Sequence, residues 1–369
     1  MATPVATVLF LVSCFSLVLS ATVVVEVGGK VTVNGEPFSI RGVKFSPPHS
    51  TYWRDTTENR EEWENDIQLV RSLGANTILL SNFQGDITPF LDACHKTEEP
   101  KLFVMLQFSF PLMDLTKHAQ KLAQTFQSQL LEPYHNHPAL LMWVVGRDLN
   151  APWNYSLQER ALVLFVQQLA ALAHNLEKGA HQQYHPVVAS LLDDGAADFI
   201  AKYEESMLSV DVWGFSVHRG IKFSGFFDDT YSATDKAIVV LGFGVDAFDS
   251  STQSEDQEYQ AKWDVSLVEE LSRICTVHSQ CAGGVLAEFR DDWTADDPTG
   301  ESDCSLDPLE HSACGYEHLG MPDGVLNPQW FGLVARPGEG HTGTVLRKAY
   351  AAVQSFWTSH PVDEQQEKP

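Results

Sequence analysis

The sequence predicts an α/β chain closed into a (β/α)8 (TIM) barrel with a short N-terminal β-hairpin, and three observations carry that prediction. Short apolar, β-branched runs alternate with amphipathic stretches along nearly the whole chain. Eight such runs can be marked out. No Gly-rich phosphate fingerprint follows the first of them, which weakens the rival doubly wound open sheet. At 369 residues with 44% hydrophobic content, the chain can bury one large core, and its composition carries no signature of disorder.

The elements follow in order. Residues 7–21, "TVLFLVSCFSLVLSA", are too short for a membrane span and end on the small residues Ser20 and Ala21, so residues 1–20 read as a cleaved secretory signal. The absence of Lys or Arg ahead of the run keeps an uncleaved anchor or an apolar first strand as alternatives. Residues 21–36 carry two alternating runs joined at Gly28-Gly29 and a second turn at Asn34-Gly35, a hairpin signal fit to cap the N-terminal mouth of a barrel. The barrel itself is assigned to 37–369, with strands expected at 37–45, 76–80, 102–108, 140–145, 186–192, 210–217, 237–243 and 284–289. Between the first two, Trp63, Ile67 and Val70 recur at helical spacing and Gly74 supplies a stop. The stretch 290–343 has no periodicity and reads as a loop over the C-terminal face, stapled by cysteine.

Acidic residues number 49 against 24 Lys and Arg, a formal charge of −25 that argues against nucleic acid or an anionic membrane as partner. The polar tail "HPVDEQQEKP" lacks the hydrophobic run of a glycosylphosphatidylinositol signal, so a secreted, extracellular protein free of membrane is expected after signal cleavage. Once Cys14 leaves with the signal, five cysteines remain, for which two bridges and one free thiol are the simplest arithmetic. Short loops favour Cys275 with Cys281 and Cys304 with Cys314, although spacing alone does not fix the pairing. Asn154, in Asn154-Tyr155-Ser156, is a sequon and is expected as a glycan site on a loop where the host glycosylates.

In such barrels the working residues stand at the C-terminal ends of the strands. After strand four the chain offers Arg147, Asp148 and Asn150; after strand six, His218 and Arg219; after strand seven, only Gly242, Phe243 and Gly244 before Asp246; with strand eight, Glu288. Trp53, Trp153 and Trp293, in polar loops, are candidates for stacking on a sugar face, with core packing as the plain alternative. Trp143 and Trp213, inside apolar strands, read as packing. His311, Cys314, Glu317 and His318 have spacings that could hold zinc, but in an oxidising compartment Cys314 is better spent in a disulfide, so neither metal nor other cofactor is expected.

"VNGEPFSIRGVKFSPPH", "EEWENDIQLVRSLGANTI", "HNHPALLMWVVGRDLN", "VDVWGFSVHRG" and "AIVVLGFGVDAF" resemble, in order, the catalytic barrel of glycoside hydrolase family 2 and its clan A relatives, among them β-glycosidases and β-glucan transglycosylases. The resemblance spans nearly all the chain after the signal, with "NHPALLMW" its most specific piece. It implies binding of a β-linked glycan, an acid/base at the position of Asp148 and a nucleophile at the position of Gly242. The family motif after strand four continues as G-N-E, and the one on strand seven ends S-E-F-G or T-E-Y-G. Arg147 then replaces the Asn that holds the sugar 2-hydroxyl, either filling that subsite or pairing with Asp148, and Leu79 replaces an Arg that supports the nucleophile. Where relatives often carry Tyr, His218 stands, either contacting sugar or serving as a neutral hydrogen-bonded residue.

A retaining glycosidase needs two carboxyl groups about 5–5.5 Å apart, one to attack and one to protonate the leaving oxygen. Glycine can do neither. Asp in place of Glu withdraws the carboxyl by about 1.5 Å, and a misplacement of about 1 Å can cost on the order of 100-fold. The expectation is therefore a carbohydrate-binding pseudoenzyme. Two alternatives stay open: an active glycosidase or transglycosylase pairing Asp148 with Glu288 or Asp246, which as an inverting route needs carboxyls about 6.5–9.5 Å apart, and a structural extracellular interaction protein that binds no sugar. By resemblance, Glu288 is the degraded counterpart of a carboxylate in the family pattern F-E-W-N-D-E-W, and Asp246 matches a family Asp beyond the nucleophile.

Overall fold

The structure, a computed structural model, describes residues 21–47, 51–81, 83–96, 101–110, 115–151, 159–180, 184–295, 304, 305, 307, 310–336 and 344–361. Residues 1–20, read above as a secretory signal, and Trp153 and the Asn154 sequon lie outside them.

Eight parallel strands close into a barrel: β1 (Ile40–Phe45), β2 (Thr77–Leu80), β3 (Phe103–Phe108), β4 (Leu140–Val145), β5 (Val187–Leu192), β6 (Val212–Ser216), β7 (Ala237–Phe243) and β8 (Cys281–Leu286). Each pairs with its successor, and β8 returns to β1 with Gly283 opposite Ile40 and Leu286 opposite Val43. The strand-to-strand connections carry α1 (Thr57–Leu73), α2 (Thr88–His95), α3 (Leu115–Phe126), α4 (Glu159–Ala180), α5 (Ala196–Tyr203), α6 (Phe226–Tyr231) and α7 (Gln257–Val277), and α8 (Lys348–Ser359) follows β8.

Local chemistry accounts for these elements. The Thr56 side chain caps α1 by accepting from the Asn59 N–H, Trp63, Ile67 and Val70 form its buried face, and Gly74 ends it at φ 88° in the left-handed region open to glycine. Asp256 caps α7 in the same way, accepting from the Tyr259 N–H at 3.0 Å. At the far end of the chain, Arg41 of β1 donates to the carbonyls of Trp357 (3.0 Å) and His360, satisfying the C-terminus of α8.

Alternation sorts the strand residues into two cores. Val187, Trp213 and Val240 join the cluster between strands and helices, while Val188, Val212 and Val239 belong to a second cluster inside the barrel. The expected N-terminal hairpin is present, Val23–Val25 against Val31–Val33, and a third strand, Glu36–Pro37, follows the expected turn at Asn34-Gly35 and extends it to a three-stranded antiparallel sheet. Ala21, Val23, Val31 and Val33 share the inner cluster with Ile40, so the sheet plugs the N-terminal end of the barrel.

The eighth strand differs from the expectation of 284–289. It starts at Cys281 and is complete by Leu286, which leaves Glu288 beyond the strand, after a cis Ala287–Glu288 bond. "CAGG" has poor strand propensity, but Gly283 (φ 105°) lets the backbone of β8 lie against Ile40, where a Cβ would stand 2.2 Å from the Ile40 carbonyl oxygen. Both expected disulfides are present. Cys275–Cys281 joins the end of α7 to the start of β8, and Cys304–Cys314 staples the loop after β8. Cys94 is free and buried.

Candidate functional site at the barrel mouth

Followed outward along the strands, the inward positions change from apolar to polar. Val188 gives way to Ser190, Met105 to Gln107, and Val212, through Gly214, to Ser216. These groups lie at the C-terminal mouth, where the β4 loop enters. Gln107 Nε2 donates to the Gly146 carbonyl at 2.8 Å, and the Leu149 N–H donates to the Ser190 carbonyl at 2.9 Å. Asp148 sits between these anchors at φ 48°, a left-handed conformation that Asp tolerates better than most residues. Ser216 Oγ donates to Asp148 Oδ1 at 2.8 Å, and the Asp148 N–H reaches Ser190 Oγ at 3.4 Å. Arg147 is largely exposed, with Nε 3.7 Å from Asp148 Oδ2, which forms the expected pairing with that carboxylate.

Gly242, on β7, is registered with Ser216 of β6 after an irregularity between Val240 and Gly242. Among the described residues, a Cβ on Gly242 would meet only Ala287 Cβ and Ser216 Oγ within 4 Å, both at 3.9 Å, which is ordinary van der Waals contact. Gly244 behaves differently: at φ 143°, with a Cβ 2.9 Å from the Ala287 carbonyl oxygen, its backbone requires glycine. Among the described residues, nothing forces glycine at 242. The space over its Cα opens toward the Ser216 hydroxyl, which in turn touches Asp148, so the acid/base and nucleophile positions inferred from the motifs face one polar group.

Glu288, past the end of β8, is buried against β1 and the residue after it: Lys44 Nζ contacts Oε1, and Ser46 Oγ donates to Oε2 at 3.1 Å. Burial raises its pKa, against the lowering influence of Lys44. Asp246 points into the stapled loop instead, accepting from the N–H groups of Phe248 (3.1 Å) and Asn327 (3.2 Å) and from Asn327 Nδ2 (3.1 Å). Burial pushes its carboxyl up to about 7. These bonds fasten the loop to β7.

His218, past the end of β6, packs edge-on against Phe331 (5.6 Å between centroids) and His318 (6.1 Å), and its Nδ1 is buried without a partner. Burial, followed by the nearby His318, pushes its pKa down to about 3 from 6.5. A depressed folded-state pKa stabilises the fold above pH about 6.5, and that contribution is lost as pH falls through about 3. The melting temperature should therefore drop on acidification across this window, by an amount corresponding to a few kcal/mol. His218→Gln should flatten that limb, and an equally steep limb in the variant would assign the acid sensitivity elsewhere.

The tryptophans are placed unevenly. Trp53 is 5% exposed and packs with Phe45, Tyr52 and Phe90, while Trp293 is 4% exposed and stacks on His311 at 4.9 Å; both are core. Trp143 and Trp213 are fully buried, the former donating to Glu177 Oε1 at 2.8 Å. His311 lies between Trp293 and Trp330, and Cys314 is in its disulfide, which separates two of the residues whose spacing suggested zinc. Sequence reasoning did not single out Ser190, Ser216, Gln107 or Lys44. The available signal was period-two alternation counted past the last Val of each strand.

The sequence matches no protein-family model and no curated protein. Among solved structures, the barrel superposes on a GH2 β-galacturonidase from Eisenbergiella tayi, bound to galacturonate, with a TM-score of 0.62 and 16% identity over 92% of this chain and 54% of that one. It superposes on a Bacteroides uniformis β-glucuronidase with a TM-score of 0.62 and 15% identity over 91% of this chain and 37% of that one. A β-D-glucuronidase from Dictyoglomus thermophilum gives 0.60 and 16% over 92% and 54%. The chain thus spans about half or less of the length of these proteins. What it shares with them is the fold, a closed (β/α)8 barrel.

Proposed function

We propose that this is a secreted, glycoside-hydrolase-like protein that binds a β-linked glycan at the barrel mouth and has lost the retaining double displacement. One observation carries the reading: Gly242 leaves the end of β7 without a carboxylate although a Cβ would fit there, beside the Ser216–Asp148 pair. Without a nucleophile no glycosyl-enzyme can form, yet the polar groups able to hold sugar hydroxyls are retained. The fold likeness to proteins whose descriptions name glucuronidase and galacturonidase activity supports a carbohydrate ligand. The apolar N-terminal segment, two disulfides and the Asn154 sequon support an extracellular, glycosylated chain. No helix of the described residues is long and apolar enough to cross a membrane.

The test is a glycan array followed by titration calorimetry on purified protein. Expected are binding to a β-linked oligosaccharide, no release of product, and at least a ~10-fold loss of affinity in Asp148→Ala. Binding to no oligosaccharide would leave a structural interaction protein as the better account. A second reading, an inverting hydrolase, draws on Glu288, a buried carboxyl at the same mouth with a raised pKa. It requires turnover of β-glycosides that disappears in Asp148→Ala, and both observations come from the same protein preparations.

A further inference from the structure

We infer that the hairpin 316–326, packed on the loops after β6 and β7, is an acid-sensitive latch: it is seated at neutral pH, and its tip releases from the barrel mouth when two facing imidazoles, His218 and His318, take up protons. Its action does not depend on whether the mouth binds sugar. The hairpin pairs Tyr316 with Leu326 and Glu317 with Val325 in antiparallel register. Its base is tied to the segment after β7, where Asn327 donates to Asp246 and Asp323 accepts from the Ser250 N–H at 3.1 Å. The tip, 318–321, reaches the other way, to the loop that follows β6.

Two glycines bring the tip and the β6 loop into backbone contact. A Cβ on Gly320 would stand 1.7 Å from the His218 carbonyl oxygen, and one on Gly220, at φ 86°, would stand 2.8 Å from the Gly320 carbonyl oxygen. Met321 anchors the tip in the core at 4% exposure, while Leu319 beside it is fully exposed. The β6 loop is in turn bonded to the end of β7: the Val217 N–H donates to the Gly242 carbonyl at 2.8 Å, and the His218 ring bonds to the Gly244 backbone. A change at the seat therefore reaches the rim of the mouth.

Both imidazoles are placed for their neutral forms. His318 Nδ1 accepts from the Gly320 N–H at 3.1 Å, a role that a protonated ring loses. His218 Nδ1 is buried without a partner, and the two ring centroids are 6.1 Å apart, so a proton on either ring sets a charge beside the other. The surroundings supply no compensating anion. His218 faces Phe331 of the stapled loop and Lys44 of β1, whose charge opposes protonation, and His318 faces Tyr316 of its own hairpin. Nearby, Arg219 is paired with Asp193, Asp323 is held by the N–H groups of Ser250 and Val325, and Glu317 is exposed. Among the described residues, His137, His174 and His185 have carboxylate partners, whereas neither ring of the latch does. Burial holds both below the ordinary 6.5. The seated form is thus favoured above pH about 6.5 and loses ground as pH falls, by about tenfold per pH unit for each ring that takes up its proton on release.

The experiment is hydrogen–deuterium exchange read by mass spectrometry on the purified full-length protein at pH about 7.5 and about 5, each peptide referred to its intrinsic exchange rate. Expected at the lower pH is a loss of protection of at least ~10-fold in peptides covering 316–326, with peptides from β3 and β4 unchanged. Gly320→Ala should show that loss already at the higher pH, because its tip cannot seat. The double variant His318→Asn, His218→Gln should stay protected at both. Asparagine keeps a side-chain acceptor for the N–H two residues on, and glutamine keeps a donor for the Gly244 carbonyl. Wild-type hairpin peptides equally protected at both pH values overturn the inference, as does a loss in the double variant as large as in wild type. Loss of protection in β3 and β4 together with the hairpin would be unfolding of the whole barrel and overturns a local latch as well.

Discussion

Gly242→Glu is expected to give a folded protein that hydrolyses 2,4-dinitrophenyl β-glycosides at a rate at least ~100-fold above wild type. The fold should tolerate the change, since φ at 242 is outside the left-handed region and the new Cβ meets its two neighbours at 3.9 Å. The dinitrophenolate leaving group departs without a proton, so the shorter, Arg147-paired Asp148 does not limit the first step. Attack by the introduced carboxylate forms the bond to the anomeric carbon as the bond to the aryl oxygen breaks, and water then releases the sugar. Mass spectrometry of the variant treated with a 2-deoxy-2-fluoro glycoside should show a covalent adduct at residue 242. Because Leu79 stands where the resemblance places a supporting Arg, the double variant Gly242→Glu, Leu79→Arg provides the stricter trial. A folded double variant with neither turnover nor adduct would show that β7 does not present residue 242 to a sugar.

Asp291→Ala should destabilise the protein by about 3–5 kcal/mol, the range for one partner removed from a buried ion pair. Arg347 Nη1 and Nη2 donate to the two Asp291 oxygens at 2.6 and 2.7 Å, and both side chains are at most 1% exposed. Asp291 also accepts from the Gly332 N–H at 2.9 Å, so the pair joins the end of β8, the stapled loop and the residue that opens α8. Truncation leaves a guanidinium in the interior with Glu255 as its remaining carboxylate partner. Urea titration monitored by circular dichroism measures the loss. The double variant Asp291→Leu, Arg347→Met should lose less than Asp291→Ala alone, since it buries no unpaired charge. If the single variant matched wild type, the pair would hold nothing together.

Seven barrel strands were legible because each is a short apolar run set off by amphipathic helical or turn sequence, as in "LLMWVV" for β4. The eighth was read three residues late because Gly283 and Gly284 hide its start, and glycine there answers a backbone approach that only the closed sheet creates. At the site, Asp148, Gly242 and Glu288 could be named because they occupy recognisable positions in longer motifs. Ser216 and Lys44 could not, since a serine or lysine at the end of a strand has no motif of its own and acquires meaning from its neighbour across the barrel. Trp53 and Trp293 show the complementary difficulty. A tryptophan in a polar stretch looks displayed, and only tertiary packing, against Phe90 or under His311, puts it away.

The valine plug formed by the N-terminal sheet has an electrostatic consequence. Hydrocarbon fills the barrel axis below the serine layer, so the charges of Lys44, Glu288, Arg147 and Asp148 have a poorly polarisable medium beneath them and water above. Field lines from such a one-sided boundary concentrate outward through the opening. Dipoles at that opening are screened less than the same groups would be on an open surface.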